Sequence, residues 1–360
     1  MRINRDISQG LMIANLIATV LIIAIHYGSK AYIQYTDIRR WNYIFQEFFL
    51  NGIARIAVPF FVLISGFFLA QKIKSNHKYT DILLNKAQTL LLPYLIASLM
   101  IFLVSTLIKW VTQHDSYQPI TLGYFIKGVI LQPISSQFWF LRDLIILTTL
   151  SPFLLAAKTT YIIPIAFLVG ALWVIDYQPF PVLEGWYLLN IETLFFFILG
   201  GLLSERKVLL EFIINTSIKN KVVVLFLWLV IVGYRVHIDP RLDVWYVKEY
   251  TPISITLYKI AIVLGIVSLL QFSIYLSSNK LLIYLSGLAF FAYLFHFVPL
   301  SYFRHITNRL VEYEYSFYIN FPIALITVFL MAHLIATFLP RIFALLTGGR
   351  TPNKALERTK

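Results

Sequence analysis

The chain has 360 residues, of which 59% are hydrophobic and 13% are charged. A soluble globular protein carries about 25% charged residues, so this composition excludes a soluble fold and indicates helices that face lipid. The formal net charge of +13 comes from Lys and Arg in short clusters between apolar runs, which is typical of membrane topology signals and predicts no nucleic-acid partner. The chain has no cysteine, which excludes thiol nucleophiles, thiolate metal sites and disulfides.

Apolar runs follow one another along almost the whole chain. Because a transmembrane helix needs about 20 mostly apolar residues, they predict an all-α, polytopic membrane bundle of about ten transmembrane helices. Arg2 and Arg5 precede the first run, but no small-residue cleavage site follows it, so we predict a retained first helix rather than a signal peptide. The predicted segments are 8–27, 44–70, 88–108, 138–157, 160–176, 186–204, 220–235, 253–276, 281–302 and 317–345.

Lys and Arg between these segments are more frequent on the side that carries the chain termini. This bias predicts that both termini lie in the cytoplasm. Residues 1–346 then form one transmembrane domain, and residues 347–360, TGGRTPNKALERTK, are expected to be a disordered basic tail without chemistry. On the outer side, the segments 109–137 and 235–252 are long enough to cap a cavity.

Ionisable residues inside a bilayer cost several kcal/mol unless they pair or line a wet cavity, so each is a functional candidate. Helix directions place most of these residues in the outer half of the bilayer or near its midplane, which predicts a polar cavity open to the outer face. Lys259, about two turns inside the eighth helix, is expected to snorkel outward. The candidates are His26, Arg55, Arg142 with Asp143, Glu192, Lys259 and His296.

His26 is the best candidate for a general base, because imidazole titrates near neutral pH. The alternative is that His26 only marks a helix end in the wet interface. Arg55 lies in RIAVPFFVLISG, where Pro59 is expected to kink the helix and Ser65–Gly66 leaves room for a ligand or another helix. Its guanidinium could bind a phosphate or a carbonyl oxygen, or instead form an ion pair with Glu47 or Glu192.

The remaining candidates each have a structural alternative. Trp139 to Arg142 could bind substrate, or could anchor and snorkel at the headgroups. Lys86 could meet the phosphates of a cytoplasmic donor or could be a topology charge only. Tyr293 and His296 lie one turn apart, too deep for snorkelling, and function or a buried hydrogen bond would each explain them. Walker A, GxSxG, HExxH and GxGxxG motifs are absent, which gives no support to ATPase, serine hydrolase, zinc protease or dinucleotide-binding functions.

Five stretches together resemble the acyltransferase 3 family of membrane proteins, whose members O-acylate bacterial surface and exported polysaccharides. They occur in the family's order over nearly the whole chain, so that residues 1–346 would be an acyltransferase 3-like transmembrane domain. The stretches are IIAIHYG, RIAVPFFVLISGFFLAQKI, KAQTLLLPYL, QFWFLRDLIILTTLSPFL and LSGLAFFAYLFH.

The resemblance implies a role for each matching residue. His26 would be the catalytic base, and Arg55 would act with it. Substrate-binding positions would be Ser65, Lys86, Trp139, Arg142, Tyr293 and His296, and we add Glu192 as an ionisable residue inside the bilayer. Two positions depart from the family pattern, because Asn15 replaces an Arg eleven residues before the histidine and Thr89 replaces a second basic residue before Pro93.

The implied reaction takes an acetyl or other short acyl group from cytoplasmic acetyl-CoA to a hydroxyl of a carbohydrate, with no metal. His26 would deprotonate that hydroxyl, and Arg55 or Arg142 would stabilise the oxyanion, either directly or through an oxygen acyl-enzyme. The expected partners are membrane lipid, acyl-CoA and a carbohydrate acceptor, in a bacterial inner membrane. The alternatives are a transporter or flippase of a lipid-linked sugar or small anion, and an inactive family member that binds a partner.

Overall fold

In the computed structural model the chain is an all-α bundle, which confirms the predicted fold class. Within the described residues, seven helical segments are long and apolar enough to cross a membrane, and the apolar segments Leu122–Leu131, Thr159–Val174 and Lys280–Phe295 are shorter. The predicted spans 160–176 and 281–302 correspond to the last two of these shorter segments. The structure describes residues 5–30, 40–75, 78–112, 120–156, 159–183, 186–245, 248–297, 304, 306–307 and 309–357.

Each predicted span overlaps a helix or a pair of helices, but the span 186–204 begins too early, because residues 186–187 form a strand and the helix begins at Ile191; residues 298–302 of the span 281–302 lie outside the described residues. The helices of the first half are α1, Arg5–Tyr27; α2, Trp41–Leu50; α3, Ala57–Lys74; α4, Tyr79–Lys86; α5, Leu92–Thr112; α6, Leu122–Ile126; α7, Phe138–Leu155; and α8, Thr159–Val174. A hairpin of β1, Val182–Leu183, and β2, Trp186–Tyr187, follows. The later helices are α9, Ile191–Glu205; α10, Lys207–Asn215; α11, Ile218–Ile238; α12, Pro252–Tyr275; α13, Lys280–Phe295; α14, Phe317–Phe338; α15, Pro340–Leu346; and α16, Pro352–Glu357.

Several of these helices begin at a side chain that caps them. The side chains of Asn190, Ser217 and Asn279 accept hydrogen bonds from the first turns of α9, α11 and α13. Thr251 and Ser254 form a reciprocal capping box at the start of α12, where Pro252 occupies a first-turn position that needs no N–H partner. These caps explain why the apolar runs become helices at these residues.

The second predicted span, 44–70, is not one continuous helix. A break at residues 51–56, containing the 3₁₀ turn Ile53–Ile56, separates α2 from α3. The expected kink at Pro59 is therefore wrong in position, because Pro59 lies in the first turn of α3, where a missing N–H is tolerated. Arg55 consequently projects from a tight turn rather than from a regular helix.

The end of the chain also differs from expectation. The predicted span 317–345 is divided between α14 and α15, because Pro340 cannot continue the helical hydrogen-bond pattern. The described part of the expected disordered tail, residues 347–357, is ordered: α16 packs on α13, where a Cβ added to Gly287 would lie 2.6 Å from the Cα of Pro352. The physical reason is that Gly287 allows the two backbones to approach closely.

The two termini of the described chain lie at one end of the bundle. Ile13 of α1, Ile283 of α13 and Ala355 of α16 form a small apolar cluster. His26 follows Ile13 by thirteen residues, which is about 20 Å along a helix, and therefore lies toward the opposite end. This arrangement is consistent with both termini on the same side of the membrane.

α3 and α9 cross closely at the centre of the bundle. Cβ atoms added to Gly66 of α3 or Gly200 of α9 would overlap the backbone of the other helix, at Phe197 and Leu63 respectively. Small residues of this kind let membrane helices pack backbone to backbone. Gly66 therefore serves this helix crossing, which sets the position of α3, directly after Arg55, relative to the first turn of α9, which contains Glu192.

Gly200→Ala is expected to lower the free energy of unfolding by about 1–3 kcal/mol, because the new methyl group would overlap the α3 backbone. Gly123→Ala is the matched control, since no heavy atom lies within 4 Å of its added Cβ, and it should be neutral or slightly stabilising. Thermal unfolding of both variants in the same detergent would measure the difference. Equal losses in the two variants would contradict the packing argument.

Candidate active site

A cavity of about 580 Å³ opens between the helices near the C-terminal end of α1. It brings together six of the nine site residues that the sequence analysis names. They come from α1, the 3₁₀ turn, α7, α9 and α13, so no single segment builds the site. The six are His26, Arg55, Trp139, Arg142, Glu192 and Tyr293.

The backbone of α1 holds one ring nitrogen of His26. Its Nδ1 lies 2.8 Å from the carbonyl oxygen of Ile22, one turn earlier in α1. Because a carbonyl oxygen only accepts, Nδ1 carries a proton, and in the neutral ring Nε2 is then the nitrogen with the lone pair. The side chain of His26 belongs to the cavity wall.

His296 lies behind His26 rather than in the cavity wall. The two ring centroids are 5.0 Å apart, and His296 is fully buried. Its Nδ1 is 2.9 Å from the carbonyl oxygen of Tyr293, and among the described residues its Nε2 has no hydrogen-bond partner. Tyr293 does line the cavity, and its hydroxyl donates to the carbonyl oxygen of Gln137 at 2.6 Å. Tyr293 thereby ties α13 to the start of α7.

Arg55 is held by a buried polar network and not by an ion pair with Glu47. Its Nε donates to Oδ1 of Asn51 at 3.0 Å, and the amide nitrogen of Asn51 donates to Glu47 at 2.8 Å. Glu47 itself pairs with Arg235 and Lys30. The guanidinium carbon of Arg55 lies 5.8 Å from the ring centroid of Trp245, which also lines the cavity.

Arg142 does not snorkel toward headgroups, because it is turned into the bundle. Its guanidinium donates to the carbonyl oxygen of Tyr187 in β2 and lines the cavity. The neighbouring Asp143 is buried and accepts from the backbone N–H of Asn190 and the hydroxyl of Thr193, both at 2.9 Å. Asp143 therefore stabilises the start of α9, which is the turn that presents Glu192 to the cavity.

Glu192 is buried at the cavity wall and accepts a hydrogen bond from Nε1 of Trp173 at 2.9 Å. Lys259, which was expected to snorkel outward, is instead buried and lies 3.3 Å from Asp176. That ion pair explains its burial, because a paired charge avoids the cost of an isolated one. The expectation for Lys259 is therefore wrong.

Ser65 and Lys86 lie outside the cavity wall. Ser65 is at the crossing of α3 with α9. Lys86 ends α4, eight residues before Tyr94 of α5, whose ring is 5.6 Å from that of Phe138. At about 1.5 Å per residue, Lys86 is therefore about 12 Å along the helix axis from the level of Phe138, the first residue of α7.

Several lining residues were not among the sequence candidates. Gln137 is 2% exposed, and among the described residues neither atom of its side-chain amide has a hydrogen-bond partner. Trp245 comes from the segment between α11 and α12 and lines the cavity; its ring is 5.5 Å from that of Trp139. Arg304 donates to the backbone oxygen of His26 at 3.1 Å. Among these residues, only Gln137 could have been predicted from the sequence as part of the site, because it directly precedes the FWFLR stretch.

The cavity wall has a net positive charge. Arg55, Arg142 and Arg304 line it, and Glu192 is the carboxylate among the described lining residues. Guanidinium groups in a partly dehydrated cavity stabilise a developing oxyanion more strongly than they would in water. Within the part of the chain that the structure describes, no cluster of three or more potential metal ligands occurs.

The fold and the site define a multi-pass membrane protein with a histidine and a cationic wall around a buried cavity. Residues 13–341 match the model of the acyltransferase 3 family, described as an acyltransferase domain, so the chain belongs to this family and is a membrane acyltransferase. It is 27% identical over 315 residues to the succinoglycan biosynthesis protein ExoH of Rhizobium meliloti (strain 1021), a match that covers 85% of this chain and 82% of that protein. No solved structure matches the chain significantly.

Proposed function

We propose that this protein transfers an acetyl or other short acyl group from acyl-CoA to a hydroxyl of a surface or exported carbohydrate. The observation that carries the proposal is the position of His26, whose Nδ1 lies 2.8 Å from the carbonyl oxygen of Ile22, in the wall of a cavity that Arg55 and Arg142 also line. A base beside two guanidinium groups suits attack of an alcohol on a thioester, in which negative charge develops on the carbonyl oxygen.

In the proposed reaction, Nε2 of His26 takes the proton of the acceptor hydroxyl as its oxygen bonds to the thioester carbonyl carbon. The carbonyl oxygen becomes an oxyanion, which Arg55 or Arg142 stabilises. Collapse of this intermediate breaks the carbon–sulfur bond, and the proton on His26 passes to the departing CoA thiolate. The products are the O-acyl ester and free CoA, and His26 returns to its starting state.

The cavity wall supports a carbohydrate as the acceptor. Trp139 and Trp245 offer ring faces, while Gln137, Asn190 and Glu192 offer polar atoms. Binding sites of this kind combine apolar surface with a few placed hydrogen-bonding groups. The relative from Rhizobium meliloti is named for succinoglycan biosynthesis, and this name also supports a polysaccharide acceptor.

The charge bias between the helices supports a bacterial inner membrane orientation with the termini in the cytoplasm. In that orientation the cavity lies toward the outer face, and the donor reaches it from the opposite end. An acceptor that is already exported would then meet the thioester inside the bundle.

Transfer of radiolabelled acetyl from acetyl-CoA to glycans, in vesicles that contain the protein, tests the proposal. Label in the glycan is the expected result, with none in vesicles that lack the protein. Movement of glycan or of a lipid-linked sugar across the vesicle membrane without labelling would favour a transporter instead. Neither labelling nor movement, in the presence of the correct acceptor, would favour an inactive partner-binding protein.

We expect the side-chain amide of Gln137 to form a hydrogen bond with the acceptor. Because one hydrogen bond contributes about 0.5–1.5 kcal/mol, Gln137→Leu is expected to raise the KM for the acceptor about tenfold and to leave the KM for the donor unchanged. The variant should unfold at the same temperature as the wild type or higher, since Leu replaces a buried amide that has no partner among the described residues. Steady-state kinetics and thermal unfolding of the same preparation measure both effects. A destabilised variant with normal acceptor KM would show that Gln137 is structural.

A further inference from the structure

Asp176 follows α8 at a position that glycine usually occupies. Its N–H donates to the carbonyl oxygen of Trp173 at 3.1 Å, and the N–H of Tyr177 donates to that of Leu172 at 2.9 Å. This pair of hydrogen bonds ends many helices and needs a left-handed residue, and Asp176 has a φ of 56°. Glycine adopts this conformation without steric cost, so the buried carboxylate at this position needs a reason.

The carboxylate of Asp176 contacts polar side chains from two other parts of the chain. In α12, Nζ of Lys259 lies 3.3 Å from Oδ1. In the segment between α11 and α12, the hydroxyl of Tyr250 donates to Oδ2 at 3.1 Å, and Nζ of Lys248 lies 3.6 Å from the same oxygen. Lys248 is the other non-glycine residue with a positive φ, 55°, within the described ranges. Asp176 therefore joins the end of α8 to α12 and to the segment before it.

One set of contacts leads from Asp176 to Glu192. Nζ of Lys259 lies 5.1 Å from the ring centroid of Trp173, and its positive charge stabilises the carboxylate of Glu192. Nε1 of Trp173 donates to Oε2 of Glu192 at 2.9 Å. The indole is buried and stacks on Phe195, with the ring centroids 5.0 Å apart, so its orientation is fixed. The end of α8 and α12 together hold one oxygen of a carboxylate that lines the cavity.

A second set of contacts leads from Asp176 to Trp245. The N–H of Asp243 donates to the carbonyl oxygen of Glu249 at 2.9 Å, and the N–H of Trp245 donates to Oδ1 of Asp243 at 2.8 Å. These bonds connect Trp245 to the part of the segment that Asp176 holds, since Glu249 lies between the two residues that contact its carboxylate. Trp245 lines the cavity beside Trp139. The contacts of Asp176 thus reach a polar and an aromatic part of the wall.

We propose that Asp176 is a positioning residue for the carbohydrate acceptor. It holds Glu192, whose other oxygen accepts a hydrogen bond from a sugar hydroxyl, and it holds Trp245, whose ring packs against the apolar face of a sugar. Two groups at a fixed separation orient the sugar and so select the hydroxyl that meets His26. This inference rests on the proposed function, and it predicts that acceptor binding depends on Asp176 while donor binding does not.

The test uses the double variant Asp176→Gly, Lys259→Met, because removal of the carboxylate alone would leave a buried unpaired charge. Glycine fits the left-handed turn and Met fills the space of the lysine stem, so the variant should unfold near the wild-type temperature. Its KM for the glycan that wild-type vesicles label should rise about tenfold, with the KM for acetyl-CoA unchanged. Trp173→Phe, which removes only the N–H donor to Glu192, should raise the same KM. Asp81→Asn, at an exposed position in α4, is the matched control.

Hydrogen exchange of the purified proteins tests the positioning without any substrate. Peptides that contain Asp243 and Trp245 should exchange about tenfold faster in the double variant than in the wild type or in Asp81→Asn, because the segment loses its anchor. Wild-type exchange in the double variant would overturn the inference whether or not the protein transfers acyl groups. A labelled glycan with an unchanged acceptor KM in the double variant would overturn it and leave the proposed function intact. No label with the wild type would overturn the proposed function, and the acceptor role of Asp176 with it.

Discussion

His26→Ala is expected to reduce the rate of acyl transfer by about 10²–10⁴-fold. The variant removes the imidazole that we propose as the general base, and general-base catalysis contributes a factor of this size. The reduction should appear in kcat, with little change in the KM of either substrate, because the imidazole acts in the transition state. Transfer of radiolabelled acetyl at matched protein levels measures it.

His333→Ala is the matched control for His26. This histidine is exposed on α14 and contacts the hydroxyl of Tyr284, away from the cavity. It should keep normal activity. If His26→Ala keeps more than a third of the wild-type rate, the base must be another group, and His296, whose ring is 5.0 Å from that of His26, becomes the candidate to replace by Gln.

Glu47→Leu is expected to lower the free energy of unfolding by about 3–5 kcal/mol. Glu47 is fully buried and pairs with Arg235, which is 1% exposed, so its removal leaves a buried positive charge without compensation. Lys30 also pairs with Glu47, but this lysine is more exposed and can turn to solvent. Thermal or denaturant unfolding in detergent measures the loss.

Glu205→Gln provides the control, because Glu205 pairs with Lys74 at a partly exposed site where an ion pair contributes about 0–1 kcal/mol. The double variant Glu47→Leu, Arg235→Met should recover much of the stability, since it removes both buried charges. If Glu47→Leu lowers the free energy of unfolding no more than Glu205→Gln does, the Glu47–Arg235 ion pair does not stabilise the fold as argued. In the stable double variant, reduced transfer would show that the network also positions Arg55 through Asn51.

The departure from the family pattern at Thr89 has a structural counterpart. A basic side chain is absent from position 89 itself, yet Arg350 reaches the carbonyl oxygen of that residue from the other end of the chain. The charge at this place is therefore supplied by a contact that spans 261 residues. The departure at Asn15 has no such counterpart in the contacts described, and the structure does not explain it.

The sequence by itself determined the class of protein, the approximate positions of the helices and the family. These properties depend on local patterns: a run of apolar residues is long enough to cross a membrane wherever it folds, and the ordered motifs occupy fixed positions along the chain. The same local information identified His26, Arg55, Arg142 and Glu192 as ionisable groups that need a reason to be buried. All four line one cavity.

Only the tertiary structure decided which partners these groups have. Glu47 pairs with Arg235, 188 residues away, and leaves Arg55 to Asn51 and the cavity. The wall contributed by Gln137 and Trp245, the burial of Lys259 beside Asp176, and the docking of Arg350 beside Lys86 have the same origin. Each depends on which faces of distant helices meet, and the apolar pattern leaves this open because in lipid every face of a membrane helix can be apolar.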